Sequence, residues 1–324
     1  MADRLAVGID LGATRMRVCI GDRRGRFLKR YAREMQVQER VEEYVAEIID
    51  GVKAVMVASP GGKLEGIGVA STGPLDTRRG GIAGSPNLPY SFIPISESLR
   101  GAFDTEVTLL NDARAAALAE KTYGAGRTEE NLVFVTISTG IGGGAIVDGR
   151  LLLGKDGNAG EIGHMTVVPS GGMRCGCGRD GHWEAYCSGR HIPDFARLLI
   201  ANLTRQKFRA HSRSRLVRAP IESSAFVFRL AKRGDKLARL VLEEVGKLNS
   251  IGMANLINLY DPSLITVGGG VALNNPELVL GSIRRHVSDH AINRKPRIII
   301  TPLGDDVGLL GALSAVFEPK LIGR

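Results

Sequence analysis

Residues 8–18 read "GIDLGATRMRV" and residues 136–149 read "TISTGIGGGAIVDG". Each runs an apolar strand into a turn of glycine and hydroxyl residues and back into a second strand. In the first, Asp10 closes the strand, and glycine permits a hairpin tight enough for the backbone N–H groups of 12–15 to face a phosphate. Asp10 is then placed to hold Mg²⁺ through water, while Thr14 and Arg15 offer a hydroxyl and a cation. In isolation the same residues read better as an ordinary hairpin with a turn aspartate. The repetition decides the reading, because "TVGGGVA" (266–272) adds a third glycine bend after an apolar strand, suited to a backbone lying flat against an adenine–ribose. None of the three matches G-x-x-x-x-G-K-[ST], and none makes the βα dinucleotide fingerprint. Together they point to a nucleotide held between two domains.

Outward from these turns, short strands are expected at 4–10, 16–21 and 26–31, followed by a helix over 38–58, where Val41, Tyr44, Val45, Ile48, Ile49 and Val52 recur at steps of three and four. A strand at 65–71, a Pro/Gly-rich loop, a short helix near 96–103, a strand at 106–112 and an Ala-rich helix at 113–122 come next. The second half opens the same way, with adjacent strands at 131–138, 142–149 and 164–168. Helical patterns then occupy 185–201, 220–232 and 236–260, strands 263–270 and 296–303, and a last helix runs near 308–318. Two copies of a three-stranded meander, each followed by helix–strand alternation, imply two α/β domains with a cleft between them.

The bulk numbers agree. In 324 residues, 44% hydrophobic and 24% charged place the chain among globular proteins, and no run of 18 apolar residues marks a membrane span. The strand pattern begins almost at the N-terminus, so no signal or transit peptide is expected. Four cysteines, two of them one residue apart, make no disulfide framework and fit a cytoplasmic location. The formal charge of +9 owes much to 197–218, read as a solvated helix and loop rather than a nucleic-acid surface. A basic balance suits an anionic cofactor.

Polar residues mark a second function. Asn111 and Asp112 in "LLNDARAAALAE" (109–120) stand where a buried strand meets a helix. Either caps the helix, and the helix N-terminus would also keep Asp112 ionised, as a base toward a hydroxyl must be. Asn87 in "SPNLPYS", Glu161 and His164 in "GNAGEIGH", and Glu184 add the carboxylates, amide and imidazole that a polyol requires. Beside them lies "CGCGRDGHWE" (175–184), where three positions resemble metal ligands, the third being histidine.

Taken together these segments, with "STGP" and "CGCGRDGHWEAYCSGR", resemble the ROK family of sugar kinases and related repressors over nearly the whole chain. The resemblance implies an α/β, actin-like (ribonuclease H-like) two-domain ATPase fold with a cleft between a smaller N-terminal and a larger C-terminal domain. The expected division is 1–112, with the C-terminal helix 308–324 packing back on it, and 113–307. The implied reaction is transfer of the γ-phosphoryl of Mg-ATP to a hexose hydroxyl, in the manner of a hexokinase or glucokinase. Carried over by position, Asp112 is the base, and Asn87, Asn111, Glu161, His164 and Glu184 bind the sugar. Asp10, Gly12, Thr14 and Arg15 belong to the first phosphate motif, Thr139, Gly140 and Gly142 to the second, and Gly269 and Gly270 to the adenosine turn.

The family's zinc motif is H-x10-C-x-C-x4-C; His164, Cys175, Cys177 and His182 keep that spacing with histidine in the last place. Cys₂His₂ is a sound tetrahedral set for structural Zn²⁺, with a metal-free knot or Cys187 as the alternatives. A departure is "YSF" after "NLP", where the family often has tryptophan, which bears on sugar preference. N-acetylmannosamine kinase is the nearest alternative, followed by a sugar-responsive repressor and a polyphosphate-dependent kinase. The repressor ranks lower because the first phosphate strand begins by residue 4. The expected partners are sugar and ATP, with neither nucleic acid nor membrane, in a monomer or homodimer.

Overall fold

The computed structural model describes residues 4–12, 14–57, 64–85, 88–203 and 211–323. Its first sheet has the order β3-β2-β1-β4-β8, built from β1 (Leu5–Leu11), β2 (Arg15–Asp22), β3 (Phe27–Glu34), β4 (Leu64–Ser71) and β8 (Val107–Asn111). The first three strands form an antiparallel meander; β4 runs parallel to β1, and β8 parallel to β4. The second sheet repeats the plan as β11-β10-β9-β12-β13, from β9 (Leu132–Ile137), β10 (Ile141–Val147), β11 (Arg150–Leu151), β12 (Leu264–Gly268) and β13 (Arg297–Ile300). Meander first, then crossover strands added on the far side of the first strand: the two sheets share one topology.

Strand sequences without a polar face imply cover on both sides. On one face of the first sheet Val7, Ile9, Leu11, Val18, Ile67 and Val69 pack with Tyr44, Ile48 and Val52 of α1 (Val41–Met56) and Leu99 of α2 (Ile95–Phe103). Residues of opposite parity, Ala6 and Cys19, meet Leu309, Leu313 and Phe317 of the last helix (Val307–Phe317). Close approach there is set by Gly68, where any Cβ would overlap the backbone of Ala312. The same helix packs on α3 (Asp112–Thr122), with Gly311 against the Ala115 carbonyl.

Among the described residues the remaining helices are α4 (Glu184–Cys187), α5 (Ile192–Ala201), α6 (Arg215–Arg218), α7 (Ser224–Lys232), α8 (Lys236–Tyr260), α9 (Gly270–Asn274), α10 (Pro276–His286) and the last, α11. Asp235 caps α8 by accepting from Leu237 N and Ala238 N, and Asp261 ends it in the left-handed region at φ 42°. Tertiary contacts divide the chain into two compact units. Unit 1 comprises Met1–Phe134, Gly144–Gly160 and Pro302–Arg324; unit 2 comprises Val135–Gly143 and Glu161–Thr301. The sequence expectation drew its boundary at 112, but α3 packs most extensively on α11 and therefore clusters with unit 1.

Three local expectations need correction. The third strand of the second meander is Arg150–Leu151, not 164–168. Asp148 and Gly149, at φ 48° and 73°, turn β10 straight back on itself, and Ile162–His164 is instead a 3₁₀ turn. The helix expected at 185–201 is two helices, interrupted where Ser188 adopts ψ 157° and Gly189 donates to the Ser138 carbonyl at 2.7 Å. The Pro/Gly-rich loop carries a small antiparallel sheet of β5 (Leu75–Asp76), β6 (Gly81–Ala83) and β7 (Phe92–Ile93).

Candidate functional site

In unit 1 the first turn is a tight hairpin, closed by Gly12 N donating to the Arg15 carbonyl at 2.9 Å. Asp10 lies near the start of α11, where a Cβ on Gly308 would come within 2.8 Å of the Asp10 carboxyl carbon. A helix N-terminus favours a carboxylate there. The cation that meets Asp10 is Arg17, its partner across the β1–β2 register, with Nε 2.9 Å from Oδ2 and a second, shorter contact from the same guanidinium. Arg15, the cation singled out from the sequence, has an exposed side chain, and Thr14 accepts from Met35 N through its backbone carbonyl at 2.9 Å. Counting back across the hairpin from Asp10 would have identified Arg17.

Asn111 and Asp112 stand half-buried at the β8–α3 junction. Asn111 is the cap: its Oδ1 accepts from Ala113 N at 3.0 Å. Asp112, the first helical residue, accepts from the same N–H at 2.7 Å through Oδ1. Two residues on, Arg114 is 1% exposed and donates to the Ala159 carbonyl, tying the helix that carries Asp112 to the loop that ends at Gly160. Asn87 lies outside the described residues.

Unit 2 holds the second turn, the glycine bend and the metal ligands. His164, Cys175, Cys177 and His182 present ligand atoms that all lie within 4.8 Å of one another. A tetrahedral zinc with bonds of about 2.05 Å to nitrogen and 2.3 Å to sulfur requires roughly 3.3 Å between nitrogens and roughly 3.6 Å between nitrogen and sulfur. The two Nδ1 atoms are 3.3 Å apart, Cys175 Sγ is 3.8 Å from His164 Nδ1, and Cys177 Sγ is 3.3 Å from His182 Nδ1. The set fits structural Zn²⁺ with all four positions supplied by protein. Burial, then the neighbouring His164 ring, holds His182 below the usual imidazole range, which favours the neutral ligand form. Burial pushes the free Cys175 thiol up to about 11, so metal binding must displace its proton. Cys187 is not a ligand: it is fully buried, pushed up by burial, and points its thiol at the Val245 carbonyl 3.4 Å away.

The chain leaving this knot is anchored and then put to use. Trp183 is 0% exposed, donates to Asn249 Oδ1 on α8 at 2.8 Å, and fills the space opened by Gly252. Next to it, Glu184 Oε2 accepts from Ile141 N at 2.9 Å. Gly189 N and Arg190 N donate to the carbonyls of Ser138 and Thr139 at 2.7 and 3.2 Å. Residues 184–190 thus grip the second turn at both ends. A Cβ on Gly140 would stand 2.6 Å from Glu184 Oε2, so a side chain there would have to displace the Glu184 carboxylate. Gly140→Ala is expected to push the Glu184 carboxylate off Ile141 N and lower the unfolding midpoint by about 3–10 °C, the size of one lost charge-assisted hydrogen bond. Thermal unfolding reads this directly, and an unchanged midpoint would reject it.

Beside the turn opens a cavity of about 950 Å³, walled by Ser138 and Thr139, by Gly189 and Arg190, by α7 with the residues before it, and by Gly270, Val271 and Asn274. Its size suits a nucleotide. Gly269, at φ 84° with a would-be Cβ 2.6 Å from the Ile137 carbonyl, is glycine for two independent reasons. The contribution of α7, including Phe228, Arg229 and Lys232, has no sequence signal, because a helix face announces burial and not what it faces. Glu161 is exposed at the start of the 3₁₀ turn that carries His164.

An open nucleotide-sized cavity beside paired glycine turns, and a metal knot fastened to one of them, define a phosphotransferase-like α/β protein of the actin-like class. The ROK family model matches residues 6–318, and the chain belongs to the ROK family. It is 37% identical to a glucokinase of Aeropyrum pernix over 96% of both chains. The crystal structure of the ROK hexokinase from Thermus thermophilus covers 98% of this chain and 99% of its own, at 35% identity and a TM-score of 0.79. The ROK glucokinase of Streptomyces griseus, crystallised with glucose and AMPPNP, gives 31% identity and a TM-score of 0.76 over 96% of this chain and 98% of its own. No helix among the described residues is long and apolar enough to cross a membrane.

Proposed function

We propose that this protein is an ATP-dependent glucokinase that phosphorylates the 6-hydroxyl of glucose. The observation that carries the reading is its likeness to glucokinases over almost the full length of both chains. Mg-ATP, when bound, supplies the γ-phosphoryl group and the metal charge that offsets its negative oxygens. Asp112 takes the proton of the sugar hydroxyl as that oxygen bonds to the γ-phosphorus and the bond to the β–γ bridging oxygen breaks, leaving ADP. Asn111, Glu161, His164 and Glu184 hold the other hydroxyls, and Asn87 occupies the remaining sugar-binding position of the motif. Thr139, Gly140 and Gly142 offer the phosphates a hydroxyl and backbone N–H groups, Gly269 and Gly270 pack on the adenosine, and Asp10, Gly12, Thr14 and Arg15 complete the phosphate and Mg²⁺ contacts. The structural zinc would be held by His164, Cys175, Cys177 and His182; its contribution is to fix the segment bearing Glu184 and to orient His164.

A coupled phosphorylation assay with Mg-ATP against glucose, mannose and N-acetylmannosamine tests the reading. Glucose is expected to give the highest kcat/KM. Turnover confined to N-acetylmannosamine would reassign the substrate, and no turnover with any sugar would overturn the kinase assignment.

A further inference from the structure

Among the described residues, the cavity beside the second turn is lined by one carboxylate, Glu222, and four cations: Arg190, Arg229, Lys232 and Arg233. These cations are not equivalent. Lys232 Nζ already donates to the Asn274 carbonyl at 2.9 Å, and the Arg229 guanidinium lies over the Phe226 ring at 5.4 Å. Both, with Arg233, belong to the α7 end of the cavity. Arg190 alone of the four comes from the segment bonded to the second turn.

Its backbone is fixed by two hydrogen bonds, from its own N–H to Thr139 and from Gly189 to Ser138. Gly189 has no space for a Cβ, which would stand 2.8 Å from the Ser138 carbonyl, so the two strands of chain run in close contact. The exposed Arg190 side chain therefore starts from a set position beside the hydroxyl and N–H groups of the turn and shares a cavity wall with them. A guanidinium held there meets an anion with a planar pair of donors, which suits a phosphate better than a base or a ribose.

We propose that Arg190 is a further nucleotide-binding residue that contacts the phosphate chain. This rests on the assignment of the cavity to ATP. It adds to the backbone turns a side-chain cation that comes from the segment just past the metal knot, not from either phosphate motif.

Calorimetric titration of ATP, ADP and adenosine into the intact protein, without sugar, tests it. Arg190→Ala is expected to weaken ATP and ADP by about 10- to 100-fold, the worth of a charge-assisted contact, and adenosine by less than about twofold. Arg190→Lys, which keeps the charge but loses the planar fork, is expected to fall between. Thermal unfolding of each variant within a degree or two of the parent would establish that the fold is intact. Equal weakening of adenosine and ATP would overturn the proposal, making Arg190 a wall of the cavity and not a phosphate ligand, and so would unchanged ATP affinity in Arg190→Ala. A parent protein that binds neither ATP nor ADP would instead overturn the nucleotide assignment itself.

Discussion

Asp112→Asn is expected to lower kcat by about 10²- to 10⁴-fold, the usual worth of a positioned general base, with the Kd for glucose changed by no more than a few-fold. The asymmetry follows from the local structure. Asn111 caps α3 through Ala113 N, so the helix start does not depend on the Asp112 charge. Asparagine has the same shape and keeps an oxygen that accepts from that N–H. What it loses is the ability to take a proton. Removing the carboxylate from a helix N-terminus costs only about 0.3–1 kcal/mol of stability, small enough to keep folding out of the result. Stopped-time kinetics beside a calorimetric glucose titration separate the two quantities; a variant within tenfold of the parent kcat would reject Asp112 as the base.

The second large effect concerns the metal. Cys175→Ser is expected to abolish bound zinc, lower the unfolding midpoint by roughly 10 °C and raise the KM for sugar by an order of magnitude or more. The stability figure corresponds to about 4 kcal/mol of linked binding at a thousandfold excess over Kd, spread over a unit of this size. The functional figure follows from position, because the knot is continuous with Trp183 and Glu184, and Glu184 is the acceptor that meets the second turn. Cys187→Ser should keep full metal content, since its thiol faces Val245 in the core. His182→Cys should also keep it, as Cys₃His is an equally good tetrahedral set. Elemental analysis with thermal unfolding decides the matter, and a Cys175→Ser protein that retained its metal would refute the ligand assignment.

The fold was legible wherever its signal was local. Each meander announces itself by an apolar run, a glycine turn and a second apolar run within some 20 residues, and α8 by 25 residues of helical spacing between an aspartate cap and an aspartate stop. Misreadings arose where the signal was short or nonlocal. A two-residue strand such as Arg150–Leu151 has no period to detect, whereas 164–168 carries a longer run with the look of a strand. The break at Ser188 comes from a hydrogen bond to a turn some fifty residues earlier, invisible to any window. At the site, the 175–184 stretch showed three ligand-like positions and the family resemblance implied His164 as the fourth, whereas the exclusion of Cys187 was not legible, since burial and not distance in sequence decides it. Arg17 lay within reach of simple register counting, whereas the α7 wall of the cavity did not.

The way α11 packs has a consequence for how the chain must be made. Unit 1 is written at both ends of the sequence, and among the described residues its second face, with Ala6, Cys19 and the bare backbone at Gly68, packs against Leu309, Ala312, Leu313, Val316 and Phe317 of α11. The stretch of chain before α11 therefore leaves the ribosome ahead of the helix that seals the first sheet. Until then that face stays open to water and to other nascent chains. Shortening the chain by its last fifteen or so residues would consequently injure the part synthesised first.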